Sequence, residues 1–294
     1  MTAEPSATRF HFISGLPRSG STLLAALLRQ NPRFYARMSS PVARLFQMLL
    51  SGMSDEGSQT IGDAQRARVL EGLFHNYYAD IGRPVVFDTN RLWTARLPAL
   101  LAVYPQARIV CMVRNVAAIM DSVERLLRVN PFARSRLFSD ENERATVYSR
   151  TEALASRHRL VGSAWTSLKE AYYGPQAASL LLVEYGYLTQ APARTLSLIY
   201  QFLEEVPFVH DFENVAYDEP EFDAELATPG LHRVGRVVRF EPRRMSLPPD
   251  LVERYAQLSF WNDPTPSLAN LIAPRSPALL STAPADLTDQ ENVP

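Results

Sequence analysis

A loop near the N-terminus has the residue types of an anion-binding site. Gly15 and Gly20 occupy the two glycine positions of the nucleotide-binding pattern G-x-x-x-x-G-K-[ST], and Thr22 occupies its hydroxyl position. Glycines let the backbone curl so that successive N–H groups converge on one phosphate or sulfate, and a following helix adds partial positive charge at its N-terminus. The sequence therefore predicts a loop that holds an anionic group of a ligand.

The lysine position of this pattern is occupied by Ser21 instead. A P-loop kinase or NTPase needs that lysine to reach the β- and γ-phosphates beside a magnesium ion, so the serine argues against hydrolysis of a nucleoside triphosphate. Arg18, inside the loop, supplies a planar and permanent charge that suits two oxygens of a phosphosulfate group. A P-loop nucleotide kinase or NTPase with an altered loop is the first alternative hypothesis.

Two residues that follow another predicted strand can also hold an anion. Arg114 follows the β-rich run 108–113, and Ser122 lies eight residues further on. Asn115 is a candidate N-cap of the intervening helix. Arg114 would then project from the edge of the sheet while Ser122 faces it from the helix, so that the two contact one anion.

These motifs resemble those of sulfotransferases that use 3'-phosphoadenosine-5'-phosphosulfate (PAPS), particularly the bacterial and tyrosylprotein-type branch. The segment Pro17-Arg18-Ser19-Gly20-Ser21-Thr22-Leu23-Leu24 is similar to the P-R-S-G-[ST]-T-L loop of that branch. Arg114 and Ser122 match the spacing of its second signature, and the segment 183–188 (VEYGYL) is similar to its Y-E-x-L motif. The matches follow the order of the family over residues 10–203.

The resemblance implies a transferase that moves a sulfuryl group from PAPS, its co-substrate, to the hydroxyl of an acceptor, with no metal ion. The acceptor can be a peptide tyrosine, a carbohydrate or a small molecule. The donor would be contacted by Pro17, Arg18, Ser19, Gly20, Ser21 and Thr22 at its 5' end, by Arg114 and Ser122 at its 3'-phosphate, and by Tyr185 and Arg233. Arg233 belongs to the run 231–236, the best match to the basic donor loop of the family, with a solvated surface run of arginines as the alternative.

Two catalytic roles follow from sulfuryl transfer. Arg18 is predicted to neutralise the bridging oxygen as its bond breaks. The general base is predicted to be Asp88, at the carboxyl end of its strand, with Arg91 nearby as a second contact for an anion. The resemblance does not supply the base. Residues 35–41 contain no carboxylate, where the tyrosylprotein branch has a glutamate, and residues 88–91 (DTNR) stand where the cytosolic branch has a lysine and a histidine. Asp88 as a turn cap, and a non-catalytic nucleotide-binding protein, are therefore the alternatives.

The elements that position these residues alternate along the chain. Compact β-rich runs at 10–14, 85–88, 108–113 and 180–183 are separated by helical patterns. This order predicts an α/β protein with a P-loop-like three-layer fold, in which helices flank a central parallel sheet and ligands bind at the carboxyl ends of the strands. We expect a flexible N-terminus at 1–8, one sulfotransferase domain at 9–262, and a Pro-rich, poorly ordered tail at 263–294.

Composition narrows the possible partners. A formal net charge of -1 argues against a nucleic-acid binder that works by general electrostatic attraction. The sequence contains no secretory signal and no apolar run near the roughly 18 to 20 residues that span a bilayer, so no membrane partner and a cytoplasmic location are expected. The single cysteine, Cys111, excludes an intramolecular disulfide. The oligomeric state, including a homodimer, is not predicted by the sequence.

Overall fold

A sheet of six parallel strands forms the centre of the protein. The computed structural model describes residues 8–55, 60–129, 135–217, 234–263 and 266–273. Within these ranges the strands are β1 (Arg9–Gly15), β2 (Phe34–Ala36), β3 (Val85–Thr89), β4 (Ile109–Val113), β5 (Leu180–Glu184) and β6 (Asn270–Ile272). Their order across the sheet is β2-β3-β1-β4-β5-β6. The four predicted strands are confirmed, with only small differences at their ends.

Helices cover the sheet on both sides. They are α1 (Ser21–Leu28), α2 (Val42–Gly52), α3 (Asp63–Tyr77), α4 (Leu92–Ala95), α5 (Leu97–Val103), α6 (Val116–Val129), α7 (Glu141–Ala145), α8 (Val147–Ala155), α9 (Leu160–Tyr173), α10 (Tyr185–Gln190), α11 (Pro192–Leu203) and α12 (Pro249–Ala256). Short 3-10 turns lie at Ala79–Ile81, Ala177–Ser179 and Phe260–Asn262. None of the helices in the described ranges is long and apolar enough to cross a bilayer.

Two hydrophobic clusters show why the sheet is a middle layer. One face packs against α2 to α6, α9 and α12, through side chains such as Phe74 and Leu168. The other face packs against α1 and α11, through side chains such as Leu24 and Ile199. Strands covered on both faces need continuous apolar runs, and every residue of β4 is buried. The predicted three-layer α/β fold is therefore confirmed.

Two edge strands were not predicted from the sequence. Both β2 and β6 are only three residues long, and each pairs with a single neighbour. β6 pairs with β5 through Leu271 opposite Leu182, so the expectation of a poorly ordered tail from residue 263 is wrong at Asn270–Ile272. The rest of that tail from residue 274, and residues 1–7 at the N-terminus, lie outside the described residues.

The strand registers bring the predicted site residues together at the carboxyl ends of the strands. Gly15 at the end of β1 lies opposite Met112 in β4, and Val113 lies opposite Glu184 at the end of β5. Because all strands are parallel, the segments that follow β1, β3, β4 and β5 leave the sheet on the same side, at the carboxyl ends of the strands. A single site can therefore be built from residues that are far apart in the sequence.

Candidate active site

The turn between β1 and α1 is built around two glycines. Gly15 has a φ of 108° and Gly20 a φ of 95°, both in the left-handed region that favours glycine. A Cβ atom at Gly15 would lie 2.1 Å from the carbonyl oxygen of Met112, so the neighbouring strand leaves no room for another residue. Arg18 also has a positive φ, 56°. The predicted succession of strand, tight loop and helix is present.

Ser19 stabilises this turn from inside. Its side chain is fully buried, and its hydroxyl hydrogen bonds to the carbonyl oxygens of Leu16, at 2.5 Å, and Met112, at 2.9 Å. The hydroxyl thus ties the loop to β4, and the backbone N–H of Ser19 is the group that the sequence predicts for contact with the donor.

The two predicted anion-binding groups meet. The Arg18 Nε atom donates a hydrogen bond to the Ser122 hydroxyl at 3.2 Å, although the residues are 104 positions apart. Arg114 Nη1 donates to the backbone carbonyl of Arg18 at 3.3 Å. Asn115 caps α6 as predicted, since its Oδ1 accepts from the N–H of Ala117 at 3.0 Å. The loop after β1 and the arginine–serine pair after β4 therefore form one continuous site.

Tyr185 lies beneath this site. The Arg114 guanidinium lies over the Tyr185 ring, 4.6 Å from its centroid, which is a cation–π contact. The same ring packs against Gly20, where an added Cβ would come within 2.6 Å of it. Burial lowers the pKa of Arg114, although its ordinary pKa is so high that it stays charged. Tyr185 thus fixes the position of both the loop and Arg114.

These residues line one cavity of about 510 Å³. From the loop, its walls include Pro17, Arg18, Gly20, Ser21 and Thr22, together with Arg114 and Tyr185. Ser122 reaches the site through its hydrogen bond to Arg18. The predicted donor run 231–236 contributes Val234 and Gly235 to the wall. The residues that follow it were missed by sequence reasoning, and they contribute Val237, Val238, Arg239, Glu241 and Arg243. Arg233 itself lies outside the described residues.

Asp88 does not line this cavity. It is fully buried, and its carboxylate accepts hydrogen bonds from the Ser40 hydroxyl at 2.5 Å, the Tyr78 hydroxyl at 2.5 Å and Trp93 Nε1 at 2.7 Å. Burial raises the pKa of Asp88, and the three hydrogen bonds oppose that shift. The predicted role as a base that contacts the acceptor does not fit this position, since a fully buried carboxylate outside the cavity lining cannot reach an acceptor in the cavity. The alternative role as a turn cap is filled by Asn90, whose Oδ1 accepts from the N–H of Leu92 at 3.0 Å.

Charged groups in the cavity differ in their partners. Glu241 is the single carboxylate among the described residues of the wall, and it pairs with Arg239 and Arg243, each at 2.9 Å. The hydrogen bonds from these arginines lower the pKa of Glu241, which makes it a weak base. Arg91 also lines the cavity, and no acidic side chain of the described ranges lies within ion-pair distance of it. In those ranges, no cluster of three or more His, Cys, Asp or Glu residues is arranged to hold a metal ion.

The parallel sheet and the glycine turn at the end of β1 define a P-loop-like α/β protein. A model of the "Sulfotransferase family" matches residues 11–209, which is more than half of the chain. The chain therefore belongs to the sulfotransferase family. No curated protein matches the chain at a significant level.

Solved structures with a similar fold are also sulfotransferases. The sulfotransferase domain from the curacin biosynthetic pathway is 13% identical, with a TM-score of 0.50, over 86% of this chain and 98% of that domain. The sulfotransferase domain from the Synechococcus PCC 7002 olefin synthase is 18% identical, with a TM-score of 0.47, over 87% and 95%. A sulfotransferase from Alicyclobacillus acidocaldarius is 19% identical, with a TM-score of 0.47, over 76% and 90%.

Proposed function

We propose that this protein transfers the sulfuryl group of PAPS to a hydroxyl-bearing acceptor. The observation that carries the proposal is the 3.2 Å contact between Arg18 and Ser122, because it joins the two predicted donor-binding signatures in one cavity. A donor with anionic groups at its 5' and 3' positions needs two such cationic sites side by side. Arg18 with the loop would hold the 5'-phosphosulfate, and Arg114 with Ser122 would hold the 3'-phosphate.

The backbone of the loop supports this assignment. Gly15, Arg18 and Gly20 have positive φ angles, a loop geometry in which successive N–H groups can converge on one anion. Helix α1 begins immediately afterwards at Ser21. Both features favour an anion at this position. Ser21 takes the place of the P-loop lysine and lies in the cavity wall, so the loop offers no long cationic side chain there for a γ-phosphate. The alternative of a P-loop kinase or NTPase is therefore the weaker one.

The proposed reaction is an in-line displacement at sulfur. The oxygen of the acceptor hydroxyl forms a bond to sulfur while the bond from sulfur to the 5'-phosphate oxygen breaks, and 3'-phosphoadenosine-5'-phosphate (PAP) leaves with the electron pair. The proton of the acceptor hydroxyl would pass to water, since the one described carboxylate of the cavity wall, Glu241, is paired with two arginines. The Arg18 guanidinium would stabilise the negative charge that develops on the leaving oxygen, and the loop would align the donor. Asp88 would not contact either substrate. It would support the site indirectly, through its hydrogen bonds to Ser40, Tyr78 and Trp93.

A non-catalytic nucleotide-binding protein is the second candidate function. It is favoured by one observation: the single described carboxylate in the cavity wall, Glu241, is neutralised by two arginines. Such a protein would bind PAP and PAPS yet transfer no sulfuryl group to any acceptor. Incubation with labelled PAPS and peptide, carbohydrate and phenol acceptors separates the two functions, since only the enzyme transfers label to an acceptor.

Replacement of Arg114 by alanine tests the donor site. PAP carries a 3'-phosphate, whereas adenosine 5'-phosphosulfate does not. If Arg114 holds that phosphate, Arg114→Ala should weaken PAP binding about tenfold or more and change binding of adenosine 5'-phosphosulfate much less. Ser122→Ala should show the same selectivity with a smaller effect.

The matched control is Arg68→Ala, which removes an exposed arginine of α3 outside the cavity and should leave both affinities unchanged. Thermal unfolding of each variant shows whether loss of the contact between Arg114 and Tyr185 has disturbed the fold. Equal weakening of the two ligands by Arg114→Ala would reject the proposed role.

A further inference from the structure

The cavity has a wall that the donor-binding residues do not account for. Val123 and Leu126 from α6, Leu137 from the segment after it, and Leu160 at the start of α9 all line the cavity. These side chains offer no hydrogen bond to a phosphate or a ribose. An apolar wall stabilises an apolar part of a ligand, at roughly 25 cal/mol for each Å² removed from water.

Arg91 is the charged residue that stands out in this cavity. It lies in the cavity wall, and more than a third of its surface is exposed, so a ligand can reach it. The protein packed around the rest of the side chain lowers the pKa of its guanidinium by desolvation, and no charged neighbour contributes to that shift. By contrast Arg114 lies on Tyr185, and Arg239 and Arg243 share Glu241.

Two hydroxyl groups hold the backbone carbonyl of Arg91 in place. Its carbonyl oxygen accepts hydrogen bonds from the hydroxyls of Ser14, at 3.3 Å, and Thr94, at 3.2 Å. The adjacent Trp93 is fully buried and bonded to Asp88. The backbone that carries the Arg91 side chain into the cavity wall is therefore well supported, as is usual where a binding site holds a charged group.

A cation in such a position, with no acidic partner in the described ranges, is suited to an anion on the ligand. The guanidinium fork matches the two oxygens of a carboxylate, and such a charge-assisted pair is stronger where water is restricted. In the proposed function the anionic groups of the donor are already held by Arg18, the loop backbone and Arg114. An anionic group that pairs with Arg91 would then belong to the acceptor.

We infer that the acceptor is an amphipathic hydroxy acid. Its apolar body would pack on the wall formed by Val123, Leu126, Leu137 and Leu160, and its carboxylate would pair with Arg91. The inference rests on the proposed sulfuryl transfer and names its substrate class. A neutral carbohydrate would leave both the leucines and the arginine without partners. A long or aromatic hydroxy acid uses all of these groups at once.

Two pairs of probes test this inference, each with one carboxylate and one neutral amide of nearly the same shape. They are 12-hydroxydodecanoate with 12-hydroxydodecanamide, and 3-(4-hydroxyphenyl)propionate with its amide. Binding to the PAP-loaded protein is measured by calorimetry, and transfer from labelled PAPS is measured in parallel. The protein should bind one of the carboxylates about tenfold or more tightly than the matching amide.

Arg91→Met keeps an apolar stem of similar length and removes the charge. It should reduce the preference for the carboxylate to about twofold or less and lower transfer to the carboxylate more than transfer to the amide, while PAP affinity stays near the wild-type value. Leu160→Asn should weaken both members of the pair equally. Arg68→Met, on the exposed face of α3, is the control and should change nothing.

The possible failures are distinguishable. Equal loss of transfer to both probes in Arg91→Met would place Arg91 on the sulfuryl group and overturn the inference, as would weaker PAP binding by that variant. The inference is also wrong if the wild-type protein binds PAP but does not prefer either carboxylate, or binds no probe. If the wild-type protein binds no PAP and transfers no label, the proposed function itself has failed.

Discussion

Substitution of Asp88 separates a structural role from a catalytic one. In Asp88→Ala the buried Tyr78 hydroxyl and the buried Trp93 indole N–H lose their acceptor. Each unsatisfied buried donor costs about 1–3 kcal/mol, so the free energy of unfolding should fall by about 2–6 kcal/mol. The half-buried Ser40 hydroxyl can turn to water and adds little. At about 2–4 °C for each kcal/mol, Tm should fall by roughly 4–24 °C.

Asp88→Asn is the decisive variant because it keeps the shape of the side chain. Its amide oxygen can still accept from Trp93, while its NH₂ group can donate to the hydroxyls of Ser40 and Tyr78. Thermal unfolding, PAP binding and the rate of sulfuryl transfer are measured together, with Asp63→Asn at the exposed start of α3 as the control. We expect a modest loss of Tm and a transfer rate within about tenfold of wild type.

The opposite pattern would refute this reasoning. Loss of a general base typically lowers the rate by about 10²–10⁴-fold. If Asp88→Asn keeps the Tm and the PAP affinity of the wild-type protein but loses that much activity, Asp88 is the base and the buried geometry has been misinterpreted.

Four further substitutions probe the turn, a helix interior, an ion-pair network and the pH dependence. Gly20→Ala should weaken PAP binding because its Cβ would displace the Tyr185 ring, whereas Gly72→Ala in the middle of α3 should stabilise the protein by about 0.5–1 kcal/mol in a urea titration. Glu124→Gln should lower the free energy of unfolding by about 1–3 kcal/mol, since this buried carboxylate accepts hydrogen bonds from two arginines. Burial lowers the pKa of His11 below 6.5, so the unfolded chain gains a proton first as the pH falls. Stability should therefore decrease from pH 7.5 to 5.5, with a smaller slope in His11→Gln; a slope of opposite sign would contradict this account.

The parts of the fold that depend on local pattern could be predicted from the sequence. Glycines at 15 and 20 between an apolar run and a helical run indicate a strand–loop–helix turn, and β4 is recognisable from its continuous apolar residues. The short edge strands were not predictable in this way. Three residues such as Asn270–Ile272, in a segment rich in proline and serine, become a strand only because β5 offers an unpaired edge.

The site was predicted in its order along the chain but not in its packing. The spacing of Arg114 and Ser122 was informative because the helix between them has a fixed geometry. The environment of Asp88 was not, because its three partners come from positions 40, 78 and 93 and meet only in the folded protein. Ser19 shows the same limit, since its hydroxyl bonds to a strand 93 residues away.

Ligand preference measured by calorimetry tests the central claim most directly. The protein is titrated with PAP in the presence of EDTA and, separately, with ATP in the presence of Mg²⁺. The two adjacent anion sites around Arg18 and Arg114 predict that PAP binds without metal, at least about tenfold more tightly than ATP with Mg²⁺. Binding of ATP with Mg²⁺ in preference to PAP, or no detectable binding of PAP, would contradict the account.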